Sequence, residues 1–228
     1  MLSNDTNAGK TWLSCQLLQL AAKEGFRFLP YKPISTGDRS DVQRLATASG
    51  CSIELDRINP VYFRAPLAPA VASHLEKKQI DWNLVDECLF FLSKISDAVL
   101  IETAGGVLTP CDASTDMIDL VTRWQAQAIV VIPNKLGTIT QTRCVIEVLK
   151  SRNILPLAVM LNDIPEDFQK YSEEEAPFLE TIQKWNLEAL RSYFPAVPLF
   201  FSNSSGLLDL WSRIRPHLAS ISSRCSDK

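Results

Sequence analysis

Asn7-Ala8-Gly9-Lys10-Thr11, followed by Leu13, Leu17, Leu20 and Ala21 at helical spacing, decides the reading of this chain. Gly-Lys-Thr opening an amphipathic helix is the core of a phosphate-binding P-loop. The glycine lets backbone approach a phosphate, the lysine supplies a point charge, and the threonine hydroxyl is placed to hold Mg²⁺. A lysine at a helix start opposes the helix dipole, so the position makes more sense with an anion bound. The strict motif asks for glycine at position 4, where this chain has Asn4. Only Met1 to Ser3 precede the loop, fewer than the five or six residues of a typical strand, so the first strand is expected to be abbreviated or missing.

Outward from the loop, short apolar runs alternate with longer amphipathic ones. Strands are expected over 26–31, 98–101, 128–132, 156–161 and 197–201. Helices are expected over 11–23, 41–49, 81–95, 138–152, 173–191 and 207–218. Apolar strands each followed by a helix indicate an α/β fold, a parallel sheet covered on both faces. The 228 residues carry no internal repeat or linker and read as one domain, with 163–175 a polar surface excursion.

Composition narrows the function classes. A net charge of −3 and the absence of a basic run argue against nucleic acid as a partner. No run of about 20 apolar residues offers a membrane span, and no signal-peptide pattern opens the chain. Six scattered cysteines without a C-x-x-C pair read as reduced thiols, so a cytoplasmic location is expected.

In an open α/β sheet ligands sit beyond the carboxyl ends of the strands. Lys32, Glu102 and Asn162 all fall at such ends. Glu102 reads either as a solvent-facing strand end or as a Mg²⁺ ligand, and Asp41 either as a helix N-terminal acid or as a second one. Lys32 opens the polar loop Lys32-Pro33-Ile34-Ser35-Thr36-Gly37 and reads as a solvated surface lysine or as a group stabilising phosphoryl transfer. Gly105-Gly106 fits a tight turn and equally an anion approach.

Taken together, Asp5 to Thr11, Tyr31 to Gly37, Ser40-Asp41, Asn59-Pro60, Ala68-Pro69, Ile101 to Gly106, Lys135 to Thr138 and Asn162-Asp163 occur in an order and spacing that resemble dethiobiotin synthetase. The resemblance implies a P-loop NTPase-like three-layer fold and a homodimeric enzyme of biotin synthesis. Such an enzyme forms the ureido ring of dethiobiotin from 7,8-diaminopelargonic acid and CO₂, using ATP and Mg²⁺. It further implies a carbamate, formed on a substrate amine, that takes the γ-phosphoryl group to give a mixed anhydride, which the second amine closes.

By position, the resemblance places Asn7, Ala8, Gly9, Lys10, Thr11 and Trp12 around the ATP phosphates, with Thr103, Ala104 and Gly105 also on the nucleotide. Thr11, Asp41 and Glu102 would hold Mg²⁺. Lys32 and Lys10 would act on the carbamate and the transferred phosphate. Thr6 and Thr36 would contact the diamine. Asn162 and Asp163 would meet the adenine, with Pro198, Leu199 and Phe200 lining its pocket. The Leu136-Gly137 loop would reach the partner subunit's substrate. The chain departs from the family pattern at Ser3 and Thr103, where glycine is usual, and at Asn7, where many members carry Glu. Two other readings are a switch-type P-loop ATPase, such as a partitioning regulator, and a non-catalytic nucleotide-binding relative.

Overall fold

The computed structural model describes residues 1–164 and 178–225. Strand β1 (Leu2–Ser3) exists, reduced to two residues. It pairs in parallel with β6 (Ile129–Pro133), Leu2 opposite Val130 and Ser3 opposite Val131. Its other side is bonded too. The Met1 amino group donates to Ile101 O at 2.5 Å, and Thr103 N donates to Met1 O at 3.2 Å. These bonds join β1 to the end of β5 (Ala98–Ile101), which pairs in parallel with β2 (Phe28–Tyr31). Beyond β6 lie β7 (Ala158–Asn162) and β8 (Leu199–Phe201), again parallel. The order across the molecule is therefore β2-β5-β1-β6-β7-β8, with the shortest strand at the centre.

Side chains alternate across this sheet as the strand period of two requires. Val131 and Met160 face one core, with Leu13, Leu17 and Leu18 of α1 (Lys10–Lys23), Leu45 of α2 (Ser40–Ser49) and Trp211 of the C-terminal helix Ser204–Cys225. Val130, Ile132, Val159 and Leu161 face the other. There they meet Val145, Ile146 and Leu149 of the helix Thr138–Ser151 and Leu187 and Leu190 of the helix Leu179–Tyr193. Helices thus cover both faces, the α/β layering expected from the apolar runs.

The stretch 34–36, read as loop, is instead a strand. β3 (Ile34–Thr36) pairs in parallel with β4 (Val61–Phe63), which the sequence reading did not identify. Three-residue strands are too short to show a period, and Pro33 and Gly37 at their borders read as loop punctuation. Three short helices also escaped notice: α3 (Leu55–Ile58), α4 (Pro69–Glu76) and, after α5 (Trp82–Lys94), α6 (Asp119–Arg123). Asp81 caps the start of α5, accepting from Asn83 N and Leu84 N at 3.0 and 3.1 Å. The helices Thr138–Ser151, Leu179–Tyr193 and Ser204–Cys225 are numbered α7, α8 and α9. The expected start of α8 at 173 and most of the polar stretch 163–175 lie outside the described residues. None of the described helices is long and apolar enough to cross a membrane.

Candidate active site

The loop between β1 and α1 leaves the helix start open to a ligand. Gly9 precedes α1 in the left-handed region at φ 95°, no side chain caps the helix, and its first turn holds no acidic residue. Its leading N–H groups have no carbonyl within the helix and converge toward the loop, as an anion site requires. Gly9 is irreplaceable for a second reason. A Cβ there would lie 2.0 Å from Asn162 Nδ2, which donates to Ala8 O at 3.0 Å. Asn162, at the end of β7, thus supports the loop from below. Asn7 also takes a left-handed conformation, at φ 59°.

A polar cleft of about 310 Å³ opens in front of the loop. Thr6, Asn7, Gly9, Lys10, Thr11, Trp12, Lys32, Thr36, Asp41, Glu102, Thr103, Ala104 and Gly105 line it, so elements far apart in sequence supply one concave surface. Ser35, Asp38 and Arg44 line it as well and escaped the sequence reading. Arg44 lies on the same face of α2 as Asp41, one turn on, a spacing that would have flagged it.

At the back of the cleft sits an ionic knot. Lys32 Nζ donates to Glu102 Oε1 at 2.7 Å and to Asp41 Oδ2 at 2.8 Å, and Thr11 Oγ1 donates to the same Glu102 oxygen at 2.8 Å. Lys32 and Glu102 are 5% and 0% exposed, so Lys32 is no solvated surface lysine. Burial alone would pull the Lys32 ammonium down. The charges of Glu102 and Asp41 outweigh it and hold it above its ordinary value. Burial likewise pushes the Asp41 carboxyl up, but Lys32 and the Thr11 hydroxyl bring it below the usual carboxylate range.

Backbone geometry aims Lys32 into this knot. It directly follows β2, its N–H donates to Ile58 O at 2.9 Å, and its carbonyl accepts from the buried Asn59 Nδ2 at 2.7 Å. Asn59 Oδ1 accepts from Ser35 Oγ at 2.7 Å and Arg39 Nε at 3.1 Å, tying β3 to the same point. Asn59 is therefore a supporting residue whose role only the structure reveals.

Glu102 leaves one valence open. Its Oε2 is buried and has no hydrogen-bond partner. An orphaned carboxylate oxygen costs free energy unless something positive meets it. A Mg²⁺ ion held by Glu102, Asp41 and Thr11 fits the donor set. All three offer oxygens, and two carboxylates plus phosphates and water are what Mg²⁺ takes. Among the described residues no group of three or more His, Cys, Asp or Glu could hold a metal by itself, so such an ion would depend on phosphate oxygens.

Lys10 is 7% exposed, and its ammonium donates to Ser3 Oγ and Gly105 O at 2.7 Å and to Asp5 O at 3.0 Å. Burial, outweighing Glu102, lowers its pKa to about 8.

The glycine pair is explained by packing. A Cβ on Gly106 would lie 2.4 Å from Asn4 O, and Gly106 N donates to Thr109 Oγ1 at 2.8 Å, so this backbone approaches the P-loop itself. Thr103 turns into the sheet. It is 3% exposed and its hydroxyl donates to Met1 O at 3.0 Å, so its side chain does not block the cleft.

The residues expected around a base lie outside the cleft. Leu199 is buried in the core of β8 and Phe200 packs against the opposite core, because β8 is paired along its length with β7. Pro198 contributes its carbonyl to Val159 N at 2.8 Å. Asp163 accepts from Asn134 Nδ2 at 2.9 Å and Gln183 Nε2 at 3.2 Å, and burial pushes its carboxyl above the usual range. Leu136, beside Gly137 at the start of α7, is 72% exposed.

Residues 2–202 match the family described as AAA domain. Among curated proteins, the ATP-dependent dethiobiotin synthetase BioD of Anaeromyxobacter sp. (strain K) is 37% identical over 72% of this chain and 75% of its own length. The enzyme of the same name from Phenylobacterium zucineum (strain HLK1) is 33% identical over 88% of this chain and 86% of its own. Among solved structures, the cell division ATPase MinD of Pyrococcus furiosus covers 92% of this chain and 94% of its own at 18% identity, with a TM-score of 0.44.

Proposed function

Because the chain belongs to the dethiobiotin synthetase family, we propose that it forms the ureido ring of dethiobiotin from 7,8-diaminopelargonic acid, CO₂ and ATP. One observation carries this beyond nucleotide binding. The P-loop Thr11 shares Glu102 with a second buried lysine, Lys32, which simple nucleotide binding does not require.

In this reading one substrate amine takes up CO₂ as a carbamate. A carbamate oxygen attacks the γ-phosphorus, and ADP leaves. The second amine then attacks the carbamoyl carbon, inorganic phosphate leaves, and the ring is closed. Both transfers demand positioning and charge stabilisation more than covalent help from the protein.

The chain's residues divide this work. The open start of α1 and the P-loop backbone hold the phosphates. Lys10 meets the phosphoryl group from the loop side. Lys32, fixed by Asp41 and Glu102, faces it from the other side together with the carbamate. Such a charge, prearranged in a partly water-excluded cleft, acts without reorganising during the reaction. Glu102, Asp41 and Thr11 would hold Mg²⁺, which neutralises phosphate charge when bound. Thr6 and Thr36 hydroxyls at the rim would orient the diamine. Asn162, bonded to the loop at Ala8 O, and the adjoining Asp163 would meet the adenine, with Pro198, Leu199 and Phe200 near it. The Leu136-Gly137 loop would reach the neighbouring site of a homodimer.

The test is direct. Purified protein with ATP, Mg²⁺, bicarbonate and 7,8-diaminopelargonic acid forms dethiobiotin and ADP in equal amounts. Folded protein that yields no dethiobiotin at saturating substrate would overturn the proposal. ATP turnover independent of the diamine would point instead to a switch-type ATPase.

A further inference from the structure

Ser3 has no role in the scheme so far, yet it is fully buried at the floor of the P-loop. Its position is set by the sheet. Ser3 pairs with Val131, and its carbonyl accepts from Val107 N at 2.9 Å. Its hydroxyl accepts from Lys10 Nζ at 2.7 Å, with Asp5 O at 2.7 Å and Gly105 O at 3.0 Å as acceptors for its own single hydrogen.

An ammonium has three hydrogens. Those of Lys10 meet three acceptors: Ser3 Oγ, Gly105 O and Asp5 O. The group is saturated by the protein itself. A phosphate oxygen can receive a hydrogen bond from Lys10 only if one of the three lets go. Two are the backbone carbonyls of Asp5 and Gly105. The third is a side chain on a central strand, too buried to follow Lys10 toward the cleft.

We propose that the Ser3 hydroxyl is a latch on Lys10: it occupies one ammonium hydrogen and competes for it with any phosphate oxygen that Lys10 engages. Ser3 is thus a positioning residue that acts on the ligand through Lys10. The inference rests on the nucleotide-binding part of the proposed function. The latch weakens only those ligands whose phosphates reach Lys10. It tunes the affinity for di- and triphosphate groups and leaves nucleoside recognition alone.

The experiment compares MgADP, inorganic pyrophosphate and AMP by calorimetry, in wild type, Ser3→Ala and Ser3→Thr. Ser3→Ala is expected to bind MgADP and pyrophosphate about tenfold more tightly or better, the scale of one hydrogen bond to a charged group. AMP affinity stays within about twofold of wild type, and Ser3→Thr, which keeps the hydroxyl, stays near wild type for all three ligands. Should Ser3→Ala misfold, Ser3→Gly removes the same hydroxyl and must show the same pattern. Unchanged or weaker MgADP binding in the hydroxyl-free variants overturns the latch, and so does a gain that extends equally to AMP. If the ligand pattern is seen while wild type makes no dethiobiotin, the latch stands and the enzymatic reading fails.

Discussion

Gly9 and Asn162 touch across the sheet. The space a Cβ would need on Gly9 is held by the Asn162 amide, 2.0 Å away, which in turn bonds Ala8 O. Gly9→Ala therefore suffers twice, from this overlap and from a φ of 95° that L side chains avoid at a cost of about 1–2 kcal/mol. MgADP affinity is expected to fall at least about tenfold, as the loop moves out of register with α1. Adding Asn162→Ala relieves the overlap but not the backbone strain. The pair should then show a coupling of about 0.5–3 kcal/mol in a double-mutant cycle of MgADP binding. Purely additive effects would show that the contact is not what fixes the loop.

Lys32 is the residue whose loss should separate chemistry from binding. Lys32→Ala is expected to reduce kcat by about 100-fold or more, while ATP affinity changes by less than about threefold. Removing the cation also strands the buried Glu102 carboxylate, so the melting temperature falls as well. Turnover and equilibrium nucleotide binding, measured on the same folded sample, check the separation. Parallel losses in both would place Lys32 in ATP binding instead.

Glu102 and Asp41 should not contribute equally to metal binding. The Glu102 side chain is 0% exposed with one oxygen unpartnered, whereas that of Asp41 is 41% exposed. Glu102→Gln is therefore expected to raise the Mg²⁺ concentration for half-maximal activity by about tenfold or more, and Asp41→Asn by less. Chelation with EDTA should abolish turnover, and added Mg²⁺ should restore it. Mn²⁺ binding in the presence of ADP, followed by electron paramagnetic resonance, reports the same ranking without turnover. The reverse ranking would sink the assignment.

Far from the cleft, Asp86 predicts how stability varies with pH. Its carboxylate accepts from Arg123 Nε at 2.9 Å and Trp124 Nε1 at 2.8 Å, linking α5 to α6. The Arg123 hydrogen bonds, against the opposing effect of burial, hold its carboxyl below the usual carboxylate range. A depressed pKa means that the folded protein favours the ionised form. The stabilisation is thus present above pH 4 and is lost as pH falls through the folded-state value. Both partners are about two-fifths exposed, so the gain is about 0.5–1 kcal/mol. Asp86→Asn should melt a few degrees below wild type at pH 7. The gap should narrow progressively as pH falls below 4, and a gap that stays constant with pH would assign the effect to packing.

Much of this architecture was legible because it is local. The apolar run of β6 is followed by residues at helical spacing and the run of β5 is preceded by them, so the α/β layering is written in periodicity. Gly9-Lys10-Thr11 marks the helix start by chemistry rather than by pattern. β3 and β4 were illegible because three residues carry no period. What makes them strands is pairing between Ile34 and Val61, which nothing near either residue announces. The resemblance assigns Leu199 and Phe200 to the base by position, whereas their packing, Leu199 in one core and Phe200 against the other, follows from the pairing of β8 with β7, which no local pattern announces.

By itself the sequence determined the fold class, the phosphate loop and the set of polar residues at strand ends, since spacing and residue type settle these locally. Only the tertiary structure decided that Lys32 is a buried cation and not a surface one, because its two acids come from α2 and from the end of β5. It also decided where the strand before the phosphate loop sits. Leu2 and Ser3 are bonded to β6, and Met1 bridges to the end of β5, pairings between segments a hundred residues apart that no local pattern announces.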